Sequence, residues 1–259
     1  MLLVLRASNK GYNFAMTSPN DIPLQKLQFY VTTPYTCGYL PGKLAQSLIA
    51  APQHLVNASV YNSLIQQGFR RSGNFAYRPH CENCQECVPV RIVLNDFVPT
   101  RSQKRAYKQH QHLSTAILPV DFHEEHYALY HAYQQARHAE SLDKAPAQND
   151  VEQYRNFLCQ TNVESVLVEF RENGQLNMVS VIDIVDDGIS AVYTFFDATK
   201  RASFGTYNVL WQIEWAKRLA HPYLYLGYWV KDSQKMAYKQ NFQPQQMYLD
   251  GEWRSLKLG

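Results

Sequence analysis

Alternating hydrophobic and polar positions in the second half of the chain predict an antiparallel, hairpin-rich sheet. The turns between these runs contain Asn-Gly and Asp-Gly, pairs that favour two-residue hairpins. A β-branched run earlier in the chain and an apolar run near its end predict further strands. The predicted strands are Leu27–Thr32, Val88–Leu94, Ser165–Arg171, Met178–Val185, Gly188–Phe196 and Tyr223–Trp229.

Amphipathic spacing and residues typical of helix ends predict helices around these strands. Ser59 is expected to cap the second helix, and Gly68 to follow its end. The predicted helices are Leu44–Ile49, Val60–Gln67, Arg101–Lys108, His123–Ala139, Val151–Cys159, Thr206–Ala220 and Ser233–Gln240.

The order of these elements is typical of an α+β fold. We predict a smaller N-terminal domain over residues 27–110, and a C-terminal domain of mixed sheet and flanking helices over residues 111–259. Residues 1–26 are expected to be a disordered leader. Because residues 1–15 look unlike the rest of the chain, Met16 is a second candidate for its start.

The composition of the 259 residues excludes several classes of protein. With 46% hydrophobic and 18% charged residues, the sequence is not that of a disordered chain. The longest apolar stretch, Tyr223–Val230, is far shorter than the ~20 residues that a membrane helix needs. The first residues lack the basic start of a signal peptide, so we predict a cytoplasmic protein with no membrane partner.

The net charge of +3 conceals a strong segregation of charge along the chain. Residues 69–110 carry a net +5 and residues 191–259 a net +4, whereas residues 111–190 carry a net −9. Two basic regions therefore flank an acidic one, and the small total does not exclude a nucleic-acid partner.

Cysteines form a compact cluster. Three of the five lie in Cys81-Glu-Asn-Cys84-Gln-Glu-Cys87, and Cys37 is a candidate for a fourth thiolate. In a cytosolic protein this spacing favours a metal site or reduced thiols over disulfides. Four sulfurs suit tetrahedral zinc or an iron–sulfur cluster. Reduced cysteines that pack a turn are the alternative interpretation.

Two groups of basic residues are candidates for binding anions. Arg70, Arg71 and Arg78 lie among aromatic residues near the cysteines, and a guanidinium can hold a carboxylate or phosphate through two hydrogen bonds. The predicted helix Arg101–Lys108 contains no acid, and its basic stripe is typical of contact with RNA phosphates. A solvated helix face is the competing interpretation. The stripe consists of Arg101, Lys104, Arg105 and Lys108.

The last strand–loop–helix–strand–helix run resembles the end of the acetyltransferase fold named after Gcn5 (GNAT). Ala237-Tyr-Lys-Gln-Asn-Phe242 is similar to its closing motif, and Lys200–Thr206 stands where its phosphate-binding loop lies. That loop has one glycine where a coenzyme A loop usually has two or three. A different phosphate-bearing donor, bound at a helix N-terminus, is therefore favoured.

Motifs in both halves of the chain resemble those of the bacterial aminoacyl-tRNA–protein transferases. The resemblance extends over roughly Leu27–Trp253. The motifs are Cys37-Gly-Tyr-Leu-Pro, Gly68-Phe-Arg-Arg-Ser-Gly73, Tyr77-Arg-Pro-His-Cys81 with Cys84 and Cys87-Val-Pro, Phe97-Val-Pro-Thr-Arg-Ser-Gln-Lys-Arg105, Ser190-Ala-Val-Tyr-Thr-Phe-Phe-Asp197, Phe204-Gly-Thr-Tyr207, Tyr225-Leu-Gly-Tyr-Trp229 and Lys235-Met-Ala-Tyr-Lys239.

The resemblance implies an enzyme that moves an amino acid from its tRNA to the N-terminal α-amine of a protein. The short bacterial branch transfers leucine to proteins that begin with Asp or Glu, which marks them for degradation by the N-end rule. Eukaryotic relatives transfer arginine. The resemblance also implies an N-terminal domain with the cysteine motif and a C-terminal acetyltransferase-like domain. Its partners would be leucyl-tRNA and the acceptor protein, and the chemistry would require no cofactor.

Candidate roles follow for such an enzyme. An ester is already activated and an α-amine has a pKa of ~7.7–8.0, so holding the two together supplies most of the catalysis. Arg70, Arg71 and Arg78 are the candidates for binding the acceptor carboxylate, and Asp197, with Tyr193 on the same strand, for orienting or deprotonating the amine. The candidates for binding the donor tRNA or its ester are Arg101, Lys104, Arg105, Lys108, Lys235, Tyr238 and Lys239.

Other functions stay open at this stage. The residue pattern does not separate a leucyl pocket from an arginyl pocket, so transfer of arginine is one alternative. A coenzyme A-dependent N-acetyltransferase is a second, although the glycine-poor loop disfavours it. A metal-dependent RNA-binding module without enzymatic activity is a third.

Overall fold

The computed structural model describes residues 26–138, 150–200 and 203–255. Fourteen strands lie in these ranges. They are β1 (Gln28–Val31), β2 (Tyr35–Thr36), β3 (Leu44–Ala45), β4 (Ser47–Ala51), β5 (Arg70–Ser72), β6 (Phe75–Pro79), β7 (Val88–Val93), β8 (Ser114–Pro119), β9 (Ser165–Glu172), β10 (Gln175–Val185), β11 (Gly188–Phe196), β12 (Tyr223–Trp229), β13 (Gln245–Leu249) and β14 (Glu252–Ser255).

Six α-helices accompany the described strands. They are α1 (Ala58–Gln66), α2 (Arg101–His110), α3 (Glu124–His138), α4 (Asp150–Tyr154), α5 (Phe204–Arg218) and α6 (Gln234–Ala237). A π-helical turn, Arg155–Cys159, continues α4, and a 3-10 turn, Tyr238–Asn241, continues α6.

The strands form one large mixed sheet and two smaller antiparallel ones. The large sheet has the order β14-β13-β7-β12-β11-β10-β9-β8, and β11 and β12 are its parallel neighbours. A four-stranded sheet has the order β1-β4-β6-β5, and β2 and β3 form a short hairpin. The architecture is therefore a mixed α/β fold around a large mixed sheet.

Helices cover both faces of the large sheet. On one face α2 and α5 pack over an apolar core in which the rings of Phe170 and Trp211 lie 5.1 Å apart. On the other face α3 and α4 cover β9 to β11, where Tyr130 packs against Tyr154 and Phe195. Beside them α1 and the four-stranded sheet form a separate core that includes the buried ring of Tyr225.

Most of the predicted elements are present, and one is of the wrong type. The second predicted helix is capped by Asn57, whose side chain accepts from Val60 N, and not by Ser59, which lies inside it. The segment Leu44–Ile49, predicted as a helix, belongs to β3 and β4. β4 pairs with β1 on one side and with β6 on the other. An apolar run this short fits either type of element, and here pairing on both sides decides for a strand.

The last part of the predicted N-terminal domain packs with the C-terminal part of the chain. The sequence assigns residues 88–110 to the N-terminal domain, but β7 lies between β12 and β13 in the large sheet and α2 packs against α5. The predicted leader falls outside the described residues, apart from Lys26. No helix in the described ranges is long and apolar enough to span a membrane.

Candidate functional site

The large sheet splits between its two parallel strands. β11 and β12 are paired only from Gly188 with Tyr223 to Ser190 with Tyr225, although both strands continue beyond these residues. They therefore diverge toward their carboxyl ends. A crevice at the carboxyl ends of parallel strands is where open α/β sheets bind ligands. We call this opening the strand cleft.

Arg70 lies at the vertex of the strand cleft, which is the point where the ladder of β11 and β12 ends at Ser190 and Tyr225. From β5 its Nη1 donates to Ser190 Oγ at 2.9 Å and to the Tyr225 carbonyl at 3.4 Å, and its Nη2 donates to the Ala191 carbonyl. The side chain packs against the backbone of Gly227, where an added Cβ would lie 3.3 Å from Arg70 Nε. The guanidinium of Arg70 therefore has its hydrogen-bond partners inside the protein.

Arg71, the next residue, points elsewhere. It forms a buried ion pair with Asp183, in which Nη2 lies 2.6 Å and Nε 3.0 Å from the carboxylate oxygens. Its Nη1 donates to the Gly73 and Gln160 carbonyls at 2.9 and 3.2 Å. The structure therefore does not bring Arg70 and Arg71 into one anion pocket, and gives each a partner within the fold.

Arg78 is the third predicted arginine, and it borders an open cavity. Its Nη1 donates to the Gln67 carbonyl at 3.2 Å, and its guanidinium lies 5.1 Å from the centre of the Phe69 ring. The side chain is half-buried and lines a cavity of about 760 Å³. Of the three arginines, Arg78 is the one that lines this cavity.

The cavity lies between the β2–β3 hairpin, the four-stranded sheet and the large sheet. We call it the thiol cavity, because four cysteines line it together with several tyrosines. These residues are Cys37, Cys81, Cys84, Cys87, Tyr35, Tyr39, Tyr77, Tyr228 and Tyr248. Tyr228 is also the residue of β12 that follows Gly227, so one strand forms both a lip of the strand cleft and a wall of the thiol cavity.

All four thiols are free and half-buried. Leu40 N donates to Cys37 Sγ at 3.4 Å, and Gln46 N to Cys81 Sγ at 3.5 Å. Burial, and after it the neighbouring thiols, raise the pKa of Cys87 to about 12. The donor set is the one that zinc or an iron–sulfur cluster takes. Within the described ranges, however, no group of three or more His, Cys, Asp or Glu residues has the arrangement of a metal site.

Lys239 is buried, unlike its two predicted companions. Lys235 and Tyr238 are exposed, whereas Lys239 is 5% exposed and its Nζ donates to the Tyr228 carbonyl at 2.6 Å. Burial, and after it the positive charge of Arg70, lower the pKa of Lys239 to about 7. Lys239 therefore belongs with Arg70 inside the fold, and not with a surface that meets the tRNA.

Tyr193 and Asp197 lie on and just after the part of β11 that β12 does not pair. The Tyr193 hydroxyl accepts a hydrogen bond from Gln134 Nε2 at 3.1 Å, and its ring packs against α3 and the turn after α4. Asp197 Oδ1 accepts from Thr199 N at 3.0 Å and from Thr199 Oγ1 at 2.6 Å. Asp197 thus stabilises the turn that leaves β11.

The basic stripe of α2 is displayed to solvent. The side chain of Thr100 accepts from Gln103 N while the side chain of Gln103 accepts from Thr100 N, and this capping box starts the helix. Gln103, Ala106 and His110 face the core. The exposed residues include Arg101, Lys104, Arg105 and Lys108.

Sequence reasoning missed the tyrosines of the thiol cavity and the acid that pairs with Arg71. Two signals were present for the tyrosines. The chain contains 18 Tyr, and Tyr39, Tyr77 and Tyr228 lie inside the motifs that carry the family resemblance. Asp183 had no local signal, since its partner lies 112 residues away in the chain.

Comparison with known proteins gives the class. The family model for the N terminus of arginine-tRNA-protein transferase matches residues 35–105, and the model for its C terminus matches residues 125–249. The aspartate/glutamate leucyltransferase of Methylobacillus flagellatus is 62% identical over 242 residues, which are 93% of this chain and 96% of that protein. The chain therefore belongs to the arginine-tRNA-protein transferase family, which confirms the resemblance of its motifs.

A second relative carries the same name as the first. The aspartate/glutamate leucyltransferase of Thiobacillus denitrificans is 54% identical over 241 residues, covering 92% of this chain and 99% of that protein. Among solved structures, L-PGS from Bacillus licheniformis has a TM-score of 0.43 at 12% identity, covering 61% of this chain and 52% of that one. Within the family, the similar curated relatives thus carry the name aspartate/glutamate leucyltransferase.

Proposed function

We propose that this protein transfers leucine from leucyl-tRNA to the N-terminal α-amine of proteins that begin with Asp or Glu. The observation that carries the proposal is the 62% identity, over 93% of the chain, to a protein named aspartate/glutamate leucyltransferase. Free thiols and a tRNA substrate both fit a reaction in the cytoplasm. The leucylated product is a degradation signal of the N-end rule.

The donor occupies the strand cleft and the surface of α2 in this proposal. The aminoacyl end of the tRNA enters between β11 and β12, in a C-terminal part that is acetyltransferase-like. The phosphates of the acceptor stem meet the stripe of Arg101, Lys104, Arg105 and Lys108, whose exposure on one helix supports this contact. Lys235 and Tyr238, exposed after β12, are assigned to the same substrate.

The acceptor occupies the thiol cavity. The guanidinium of Arg78 receives the side-chain carboxylate of the N-terminal Asp or Glu, because a guanidinium matches a carboxylate with two hydrogen bonds. Its position at the cavity, with its ring contact to Phe69, supports this role. The cavity and the cleft share β12, so the α-amine of the acceptor and the ester of the donor approach each other across that strand.

The transfer needs little beyond this approach. The neutral α-amine attacks the ester carbonyl carbon, a C–N bond forms, and the C–O bond to the ribose breaks. The amine proton passes to the departing ribose oxygen or to water. Effective concentration supplies about 7–11 kcal/mol of the barrier when two groups are well oriented. Asp197 and Tyr193 remain the candidates for orienting the amine, since they follow the vertex on β11.

A metal on the cysteines is a separate part of the proposal. Cys37, Cys81, Cys84 and Cys87 would hold zinc or an iron–sulfur cluster, since all four line one cavity. Such a centre would tie the β2–β3 hairpin to the loop before β7, and it has no part in the transfer. Metal analysis and the visible absorption spectrum of anaerobically purified protein test this: less than about 0.1 metal per chain would contradict it.

One experiment tests the main proposal. The protein is incubated separately with labelled leucyl-tRNA and arginyl-tRNA, and with peptides that begin with Asp, Glu or Ala and are otherwise identical. We expect leucine on the Asp and Glu peptides and almost none on the Ala peptide. Transfer of arginine in its place would establish the alternative donor, and acetylation from acetyl-coenzyme A would contradict both.

A further inference from the structure

The vertex of the strand cleft poses a hydrogen-bonding problem. Where β11 and β12 separate, the backbone groups that faced the neighbouring strand lose their partners. A buried carbonyl without a partner costs about 1–3 kcal/mol. Such groups are therefore almost always satisfied by another donor. Here the donors come from two basic side chains.

Arg70 satisfies both strands at once. Its guanidinium reaches Ser190 Oγ and the Tyr225 carbonyl, which belong to the last paired residues of β11 and β12. It also reaches the carbonyl of Ala191, the first residue of β11 beyond the ladder. A planar fork offers five N–H donors in a fixed geometry, whereas a lysine ammonium offers three donors around one point charge. At the vertex one side chain therefore bonds to both strands.

Lys239 bonds to β12 further along the strand. Its Nζ donates to the Tyr228 carbonyl at 2.6 Å. The partner of Tyr228 in β7 is Pro89, which has no backbone N–H to donate to that carbonyl. Arg70 is 8% exposed and Lys239 5% exposed, and neither pairs with a carboxylate of the described chain. Both side chains thus donate to backbone carbonyls, and Arg70 donates to the Ser190 hydroxyl as well.

We infer that Arg70 and Lys239 form a cleft clamp, a pair of positioning residues in which Arg70 fixes the separation of β11 and β12 and Lys239 holds β12 beyond the vertex, so that the aminoacyl ester is aligned with the acceptor. The inference rests on the proposed function. It replaces the acceptor-binding role predicted for Arg70 and the tRNA contact predicted for Lys239. The clamp acts on the orientation of the ester, and neither residue selects the acceptor.

Kinetics of clamp variants test the inference. We expect Arg70→Met to lower kcat by ~10²-fold, since a displacement of about 1 Å can cost that much. Arg70→Lys, which keeps the charge but loses the fork, is expected to lose ~10-fold, and Lys239→Met to fall in the same range. KM for leucyl-tRNA and the preference for Asp over Ala peptides should change less than about twofold, since α2 and Arg78 are untouched.

Arg91→Lys is the matched control, because Arg91 is another buried arginine, on β7 of the large sheet, and bonds to Tyr225 Oη and Gln246. Its kcat per folded molecule should stay within about twofold of the original protein. If Arg70→Lys behaves like this control, the clamp is refuted, and this variant decides even where Arg70→Met does not fold. A loss of Asp preference in Arg70→Lys would return Arg70 to the acceptor site and also refute it. An unaltered protein that transfers no leucine would instead overturn the proposed function.

Discussion

Because Arg71 forms a buried ion pair with Asp183, we predict that Arg71→Met lowers the stability of the protein and leaves its preference for acidic acceptors unchanged. The Asp183 side chain is fully buried, and its carboxylate accepts from Arg71 Nε at 3.0 and 3.1 Å and from Arg71 Nη2 at 2.6 Å. In Arg71→Met, Ser165 Oγ, at 2.6 Å, is the donor that remains among these contacts. The variant therefore holds a buried carboxylate with its cationic partner removed.

The size of this effect follows from two estimates. Removing one partner of a buried pair costs about 3–5 kcal/mol. Hydrogen bonds to charged groups contribute about 1.5–3 kcal/mol each, so two of them reach the same range. For a domain of this size, 1 kcal/mol shifts Tm by about 2–4 °C. Arg71→Met should therefore lower Tm by roughly 6–20 °C.

Urea unfolding followed by tryptophan fluorescence measures the change in the free energy of unfolding. The double variant Arg71→Met with Asp183→Leu is the control, because replacing both charges by apolar groups restores much of the stability. Transfer to Asp, Glu and Ala peptides is measured on the folded fraction. If Arg71→Met unfolds within about 1 kcal/mol of the original protein yet loses its preference for acidic acceptors, Arg71 binds the acceptor and the structural role is wrong.

Three further predictions concern other parts of the molecule. Burial lowers the pKa of Lys239 to about 7, so between pH 7 and about 10 the unfolded chain binds a proton that the folded chain lacks. The free energy of unfolding should therefore rise with pH in this range, by up to about 1.4 kcal/mol per pH unit. Urea titrations at pH 7, 8 and 9 measure this rise, which should be absent in Lys239→Met. Gly73→Ala would place a Cβ 2.1 Å from the Asn156 carbonyl at a φ of +57°, so a drop in Tm is expected, and an unchanged melting curve would contradict the close contact. The double variant Arg101→Gln with Lys108→Gln should weaken tRNA binding. It should also reduce the slope of the logarithm of the binding constant against the logarithm of the salt concentration by about 0.7–0.9 for each lost phosphate contact. An unchanged slope would show that α2 does not contact the tRNA.

Elements with local signals were predictable from the sequence. The start of α2 follows from Thr100 and Gln103, whose capping box is complete within four residues. The hairpin between β9 and β10 follows from Asn173 and Gly174, which take φ values of +51° and +83° as a tight hairpin turn requires. In both places the residues that decide the structure are neighbours in the chain.

Elements decided by distant partners were not predictable in this way. β13 and β14 were absent from the prediction, although β13 pairs with β7 across some 155 residues of chain. The segment Leu44–Ile49 was assigned the wrong type, because its pairing with β1 and β6 is not visible in its own residues. A central position in a sheet is a property of the partners, and a single sequence does not show them.

The arginines show which part of the site's geometry the sequence does not reveal. Arg70 and Arg71 are adjacent, and adjacency suggested a shared pocket. They lie on β5, however, and successive side chains of a strand point to opposite sides of the sheet. Arg70 therefore reaches the strand cleft and Arg71 reaches Asp183. A strand over residues 70–72 is enough to separate the two roles, because its alternation sends the two guanidinium groups apart.

Opposite effects on stability distinguish Lys239 of the cleft clamp from the ion pair. A lysine whose pKa lies at about 7, against about 10.4 when unfolded, costs the fold about 4 kcal/mol at pH 7. Lys239→Met removes that cost and leaves the Tyr228 carbonyl without its donor, which costs about 1–3 kcal/mol. The variant should therefore be more stable by roughly 1–3 kcal/mol and yet slower in transfer, whereas Arg71→Met should be less stable and as active per folded molecule. A gain in stability together with a loss of rate in Lys239→Met would assign Lys239 to alignment of the substrate and not to stability of the fold.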